Sequence, residues 1–359
     1  MAQSTCLYGA SGSFKTTQVK FFSHYIAETT GKSTLLFSAD GGGWSACDPE
    51  VAAGMIVPYR ADVATLPLQI LRMISKGYWP EDPNETRPDR INMVPMDLSK
   101  VGGIAVEGWT SIGSVVMRYL PDNNISVGGE ERDKKNMMFR LQMNVDGAIH
   151  TEQYGSSTRG DFGFVQRFIE GFVSNISSLP VRHVLHTALE SKTEDDDRST
   201  IYGPSMPGKK ATAQCGAWVG NLLHAQDYTM VRTVQVPNPQ KPLEKMDSQV
   251  AENVVRIYFK KHPDPVTAIP FPAKPRVTPE KIGEMDKVYP GGYFEPTTTN
   301  GIDSYLHLID RLATDSGNTL KGWREKMDQK LGRKPAPEAN SRSAAALQGV
   351  MGSGNAISK

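Results

Sequence analysis

The strongest constraint on the fold is a glycine- and serine-rich turn that lies between an apolar strand and a helix near the start of the chain. The turn follows a predicted strand, Ser4 to Tyr8, and precedes a predicted helix from Lys15 to about Thr29. A second apolar run, Thr34 to Ser38, is typical of a strand buried on both faces. Strand, helix and strand in this order predict a parallel sheet flanked by helices.

The turn itself has the residue types of a phosphate loop. In such a loop, successive backbone N–H groups face phosphate oxygens, helped by the positive end of the following helix. Its lysine would reach the β- and γ-phosphates of a nucleotide, and its hydroxyl residue would hold Mg²⁺. We therefore predict an ATP and Mg²⁺ site in the following residues: Gly9, Ala10, Ser11, Gly12, Ser13, Phe14, Lys15, Thr16 and Thr17.

Phe14 departs from the phosphate-loop pattern, which has glycine immediately before the lysine. A side chain there strains the backbone or crowds the phosphates if the position needs a glycine-like conformation. Three interpretations stay open: a working site, a decayed site that binds nucleotide weakly or not at all, and a plain turn with an incidental lysine. The strand, turn and helix context favours the working site.

Two predicted strands end in an acid. Asp40 follows the Thr34 to Ser38 strand, and Glu107 ends a strand that begins at Gly103. Ligands of open α/β sheets bind at the carboxyl edge, where both acids would lie. Phosphoryl transfer uses one acid near Mg²⁺ and another that orients water. The alternative for each acid taken alone is a solvated residue at the end of a strand.

The order of these elements resembles that of the RecA-like ATPases, and more closely the phage-encoded members described as single-strand-annealing or recombination ATPases. The resemblance covers about Ser4 to His224. It is carried by these segments: Leu7 to Thr17, Phe37 to Gly42, Ile104 to Ser111, His186 to Glu190, and Gly203 to Lys210.

The resemblance implies a role for each matching residue. Glu107 would be the Walker B acid and would hold Mg²⁺ with Thr16, while Lys15 and Asp40 would complete the catalytic set. Family members commonly have glutamate where this chain has Asp40. The resemblance also implies a γ-phosphate sensor, His186 or Thr187, and lysines that act on a neighbouring subunit's nucleotide, Lys209 and Lys210. Two exposed lysines in a Gly- and Pro-rich loop are the alternative for this pair.

By the same resemblance the chain would form a homo-oligomer with single-stranded DNA as a partner. The segments 121–160 and 191–216 would occupy the places where DNA is held. Their basic residues are Arg132, Lys134, Lys135, Arg140, Arg159, Lys192, Arg198, Lys209 and Lys210. Acids interrupt both segments, which weakens the electrostatic case for phosphate binding. The DNA prediction therefore rests on the resemblance.

The fold class predicted is α/β: a RecA-like core with a mainly parallel sheet flanked by helices, antiparallel edge strands and a Pro-rich C-terminal extension. We place the core in residues 1–236, the extension in 237–312 with little regular structure over 263–296, and a terminal helix and disordered tail in 313–359. Three scattered cysteines predict reduced thiols rather than a disulfide framework or metal cluster.

We expect no membrane segment and no signal peptide, since no apolar run is long enough and no basic segment precedes one. A cytoplasmic protein, in the host if phage-encoded, or a virion component is expected. Three functions compete: an ATP-dependent oligomeric protein acting on DNA in recombination or replication, a non-catalytic RecA-like binding or structural module, and another phosphate-loop enzyme such as a nucleotide kinase or packaging motor.

Overall fold

The computed structural model describes residues 2–39, 45–60, 68–85, 87, 89–122, 138–145, 148–155, 159–194, 200–238, 241–265 and 267–314. The chain divides into two compact units, Met1–Ile309 and Asp310–Lys359. Of the second unit, only residues 310–314 are described. The predicted boundary at residue 236 falls within a strand, and the predicted domain division stays a prediction.

The α-helices of the described residues are α1 (Lys15–Thr30), α2 (Asp48–Ala52), α3 (Leu68–Ser75), α4 (Trp109–Asp122), α5 (Arg159–Ser178), α6 (Lys209–Gln214), α7 (Pro279–Val288) and α8 (Ile302–Thr314). The strands are β1 (Gln3–Gly9), β2 (Ser33–Ser38), β3 (Ile56–Arg60), β4 (Tyr78–Pro80), β5 (Met93–Pro95), β6 (Val101–Glu107), β7 (Met138–Val145), β8 (Ala148–Gly155), β9 (His183–Glu194), β10 (Thr200–Pro204), β11 (Asn221–Asn238), β12 (Lys241–Tyr258), β13 (His262–Pro263), β14 (Pro270–Phe271) and β15 (Tyr293–Phe294). Short 3₁₀ turns occupy Ser45–Cys47 and Cys215–Trp218.

A nine-stranded sheet forms the centre of the first unit, in the order β15-β12-β11-β1-β9-β6-β2-β3, with β10 paired to the far end of β9. The strands from β11 through β3 are parallel. The pairs β11–β12, β12–β15 and β9–β10 are antiparallel. The strand that leads into the glycine-rich turn, β1, is thus separated from the Glu107 strand, β6, by β9.

Both faces of the parallel strands are covered. All seven residues of β6 are buried, as the continuous apolar run predicts. One face carries a large apolar cluster in which Tyr8 and Phe37 of the sheet join residues of α3, α4 and α5. On the other face α1 lies so close to β6 that a Cβ atom on Gly103 would be 2.7 Å from Ile26. This close packing therefore fixes the position of helix α1 against the sheet. It also fixes the position of the turn that precedes the helix.

The predicted fold class is confirmed: the sheet is mainly parallel, helices flank it, and antiparallel strands, β12 and β15, form one of its edges. The opposite edge strand, β3, is parallel to β2. One detail of the prediction was wrong. The 263–296 segment has regular structure, because Pro279 suits the first turn of a helix and Thr278 precedes it, so that α7 forms. The described part of the 121–160 segment includes the hairpin β7–β8.

The three cysteines of the chain lie within the described residues. Cys6, Cys47 and Cys215 are buried free thiols. Across the described ranges there is no cluster of three or more potential metal-binding side chains. No helix in the described part of the chain combines the length and apolarity needed to cross a bilayer.

Candidate functional site

A cleft of about 300 Å³ lies where the carboxyl ends of β6 and β9 meet the turn after β1. One wall is the turn and the first residues of α1, which contribute Ser11, Gly12 and the segment 14–17. The opposite wall consists of Glu107, Gly108 and Thr110 from the β6–α4 region and residues 187–189 of β9. Because the first amides of a helix have no acceptor inside it, the first wall is suited to anions.

Two residues of the turn, Gly12 and Phe14, have positive φ. Gly12 has φ +83°, and Phe14 has φ 56° and ψ 26°, the left-handed conformation that favours glycine. The buried Ser13 hydroxyl donates a hydrogen bond to the Ala10 carbonyl oxygen at 2.7 Å. A Cβ atom on Gly9 would collide with the Ala225 carbonyl oxygen of β11, so this position requires glycine. Position 14 thus has a glycine-like conformation, the condition under which backbone strain was expected from the sequence.

Lys15 lies against the turn that precedes it. Its ammonium donates to the carbonyl oxygen of Gly9 at 3.0 Å, to that of Ala10, and to the Ser13 hydroxyl oxygen at 3.1 Å. These bonds hold the positive charge at the base of the cleft, within the loop. An ammonium in this place is available to a ligand whose oxygens replace the loop carbonyls.

Glu107 and Thr16 meet at the floor of the cleft, although they are 91 residues apart in the sequence. The Thr16 hydroxyl donates to one carboxylate oxygen of Glu107, and the Ser38 hydroxyl of β2 donates to the other at 3.0 Å. Glu107 is only 3% exposed. The strands β2 and β6 pair with Ser38 directly beside Glu107, which explains how the sheet register builds this contact. The two residues predicted as magnesium ligands are therefore neighbours.

Of the two residues predicted as sensors, Thr187 faces the cleft and His186 does not. Thr187 lines the cleft, and its hydroxyl oxygen accepts a hydrogen bond from the Gly108 amide at 3.2 Å. His186 is fully buried, and its Nδ1 accepts a hydrogen bond from Nε1 of Trp109 at 2.8 Å. Burial lowers the pKa of His186 to about 3, so the imidazole is neutral. Alternation along β9 sends adjacent side chains to opposite faces.

The remaining predicted site residues lie elsewhere or outside the described residues. Asp40 is outside them, as are Arg132, Lys134, Lys135 and Arg198. Lys209 and Lys210 are exposed at the start of α6 and do not line the cleft of their own chain. Lys192 lies on β9 with its ammonium 6.0 Å from the Tyr202 ring centroid. For Arg140 and Arg159, the structure describes the backbone but not the side chains.

Five residues of the site were not predicted from the sequence: Ser38, which contacts Glu107, and Gly108, Thr110, Ala188 and Leu189, which line the cleft. The Thr110 hydroxyl donates to the Ser205 carbonyl oxygen at 3.0 Å and accepts from the Leu189 amide at 3.1 Å. It thereby ties the start of α4 to the middle of β9. The sequence did contain a signal for Thr110, because this residue lies three positions after Glu107, the predicted acid at the end of a strand. Ser38 and Leu189 carry no local signal, because their roles depend on strand pairing.

Comparisons with known proteins add little to this geometry. No protein-family model matches the chain, and no curated protein matches it. Among solved structures, it is similar to a KaiC-like protein from the hyperthermophilic archaeon Pyrococcus horikoshii OT3, at 10% identity, with 75% of this chain and 89% of that chain covered and a TM-score of 0.33. A likeness this distant carries no inference about function, which therefore has to come from the cleft.

Proposed function

We propose that the chain binds ATP with Mg²⁺ in the cleft between the turn and the ends of β6 and β9, and hydrolyses it. The observation that carries this proposal is the contact between Thr16 and Glu107 beside Lys15. A plain turn with an incidental lysine gives no reason for a hydroxyl and a buried carboxylate from distant parts of the chain to meet there. Their convergence is what phosphate transfer needs.

The residues present fit both the nucleotide and the metal. Mg²⁺ prefers oxygen ligands, and the Thr16 hydroxyl and the Glu107 carboxylate supply them. When bound, Mg²⁺ would neutralise charge on the phosphate oxygens. Ser38 holds the second carboxylate oxygen of Glu107 and fixes its orientation. Lys15 would exchange its bonds to the loop carbonyls for phosphate oxygens, and Thr187 would face the terminal phosphate across the cleft.

Action on DNA, in recombination or replication and by a homo-oligomer, is the finer part of the proposal. Its support is the sequence resemblance to phage-encoded ATPases together with the exposed cations Lys209 and Lys210 at the start of α6. Single-stranded DNA would bind through such cations by contacts to its phosphates.

A non-catalytic nucleotide-binding or structural module is the second candidate. It is favoured by Phe14, an L-residue in the left-handed region, where a working loop ordinarily has glycine. The module would keep the turn and the strand order without hydrolysis. The two candidates differ in one measurable property, the release of phosphate from ATP.

Calorimetric titration of the full chain with ATP and Mg²⁺ tests the binding site. Wild type is expected to bind, and Lys15→Ala to bind at least about tenfold more weakly, because a charge-assisted hydrogen bond contributes roughly 1.5–3 kcal/mol. Lys20→Ala is the matched control, a partly exposed lysine of α1 that pairs with Glu50 outside the cleft. Its affinity should equal that of wild type. Absence of binding by wild type would overturn the site.

Phosphate release separates the two candidates. An ATPase that acts on DNA is expected to release phosphate from ATP and to do so faster with single-stranded DNA. Glu107→Gln should abolish release, because it removes the charge that holds the metal while keeping the shape of the side chain. Binding without any phosphate release, with or without DNA, would favour the non-catalytic module.

A further inference from the structure

Two large apolar side chains are exposed at a cleft whose other walls are mostly polar. Phe14 is 57% exposed and Leu189 is 37% exposed, and both line the cleft. Phe162, Val231, Val250 and Val288, the other exposed large apolar residues in the described ranges, do not line it. Hydroxyls, amides and Lys15 account for a polyphosphate and its metal. The two apolar side chains need a different explanation.

The backbone conformation of Phe14 destabilises the protein when no ligand is bound. A left-handed conformation costs an L-residue roughly 1–2 kcal/mol, and Phe14 adopts φ 56°. Its largely exposed ring recovers little of this by burial. Strained residues of this kind cluster at binding sites, where the surroundings hold them for a purpose. The ring is therefore held out towards the cleft by the backbone.

Leu189 is also held in place by its backbone. Its amide donates to the Thr110 hydroxyl oxygen at 3.1 Å, and its carbonyl oxygen accepts from the Ser205 amide at 2.7 Å. With both polar groups bonded, the middle of β9 presents this side chain from a fixed position. The cleft thus has one anchored apolar group on each wall.

We infer that Phe14 and Leu189 form the nucleoside-binding part of the cleft, with the Phe14 ring stacked on the base. The inference rests on the proposed function and assigns to this chain a binding role for the residue that departs from the phosphate-loop pattern. A nucleobase has an apolar face that an aromatic ring can cover, while its phosphates need the polar groups alongside. A stacked ring recognises any base and favours the larger purine face.

Comparing ATP with inorganic tripolyphosphate tests this inference, because tripolyphosphate has the phosphates of ATP and lacks the nucleoside. Both are titrated with Mg²⁺ into wild type, Phe14→Ala and Leu189→Ala. Alanine keeps the Cβ atom and the strained φ, so Phe14→Ala removes the ring alone. We expect Phe14→Ala to weaken ATP binding about tenfold, since base stacking contributes roughly 1–3 kcal/mol, and Leu189→Ala to weaken it less. Tripolyphosphate affinity should stay unchanged in both variants.

Phe162→Ala is the control, an exposed phenylalanine that does not line the cleft, and it should change neither affinity. Equal losses for ATP and tripolyphosphate in Phe14→Ala would overturn the inference, since the ring would then act through the turn. So would unchanged ATP affinity, including the case in which the variant alters only the oligomeric state. If wild type bound tripolyphosphate as tightly as ATP, the inference would be wrong, while the phosphate site would still be supported. Wild type that binds neither compound would remove the proposed function as well.

Discussion

At the scale of single residues, position 14 shows how the loop tolerates an unusual side chain. Phe14 takes the left-handed conformation that glycine would adopt at lower cost. The ring is more than half exposed and lines the cleft. Backbone strain, one of the two consequences expected from the sequence, follows from this conformation.

Phe14→Gly should make the protein more stable. Glycine removes the left-handed penalty of roughly 1–2 kcal/mol, while its greater freedom in the unfolded chain costs about 0.4–1 kcal/mol. The expected net gain in the free energy of unfolding is up to about 1.6 kcal/mol, measured by urea unfolding without nucleotide. Phe14→Ala should show no such gain, because alanine keeps the strain.

Ala268 provides a matched control for this stability change. It is the other non-glycine residue with positive φ in the described ranges, at 59°, and it is exposed. Ala268→Gly should give a gain of the same sign. A gain there without one at Phe14 would mean that the turn stores no strain when the cleft is empty.

At the scale of elements, the sequence predicted what depends on local pattern and missed what depends on pairing. The turn, α1 and the buried strands follow from apolar periodicity and glycine placement, so their existence could be predicted. That Ser38 lies beside Glu107 follows from the parallel register of β2 and β6, which no local pattern encodes. The lengths of β11 and β12 likewise depend on the pairing of these two strands with each other, which continues beyond their contacts with the rest of the sheet. Helix α7 was missed because its flanking prolines suggested irregular chain.

Gly103→Ala tests whether the close packing of α1 against the sheet stabilises the protein. A Cβ atom there would lie 2.7 Å from Cγ1 and 2.8 Å from Cδ1 of Ile26 and 3.0 Å from Cζ of Phe22. Overpacking of this kind costs typically about 1–3 kcal/mol, and the same loss is expected in urea unfolding. Because α1 carries Lys15 and Thr16 at its start, ATP affinity should also fall.

The control for Gly103→Ala is an alanine substitution at a glycine with open space around it. A Cβ atom on Gly171 of α5 meets nothing within 4 Å, so Gly171→Ala should stabilise the protein by about 0.5–1 kcal/mol through helix propensity. A Gly103→Ala protein as stable as wild type would show that α1 can shift away from β6 without loss.

At the scale of the whole molecule, four histidines in the described part of the first unit are buried: His183, His186, His224 and His262. Burial lowers the pKa of His186, His224 and His262, so these three imidazoles are neutral at pH 7. His224 contacts Glu190 Oε2 through Nε2 at 2.7 Å and His262 Nε2 through Nδ1 at 2.8 Å. The carboxylate accepts the Nε2 proton of His224, so Nδ1 accepts from His262. Burial lowers the pKa of His224, although Glu190 acts in the opposite direction. Burial and His224 lower the pKa of His262 to about 4.

These histidines predict that the protein loses stability as the pH falls below about 6.5, the usual pKa of an unfolded histidine. Because their folded pKa values are depressed, the unfolded chain binds more protons between pH 6.5 and the folded values, about 4 for His262 and about 3 for His186. Stability is therefore complete above that window and declines through it. His186→Gln, whose amide oxygen can still accept from Trp109, should lower the slope of unfolding free energy against pH by about 1.4 kcal/mol per unit. Urea unfolding at pH 7, 6 and 5 measures the slope, and equal slopes in variant and wild type would mean that His186 is protonated as readily in the folded protein as in the unfolded chain.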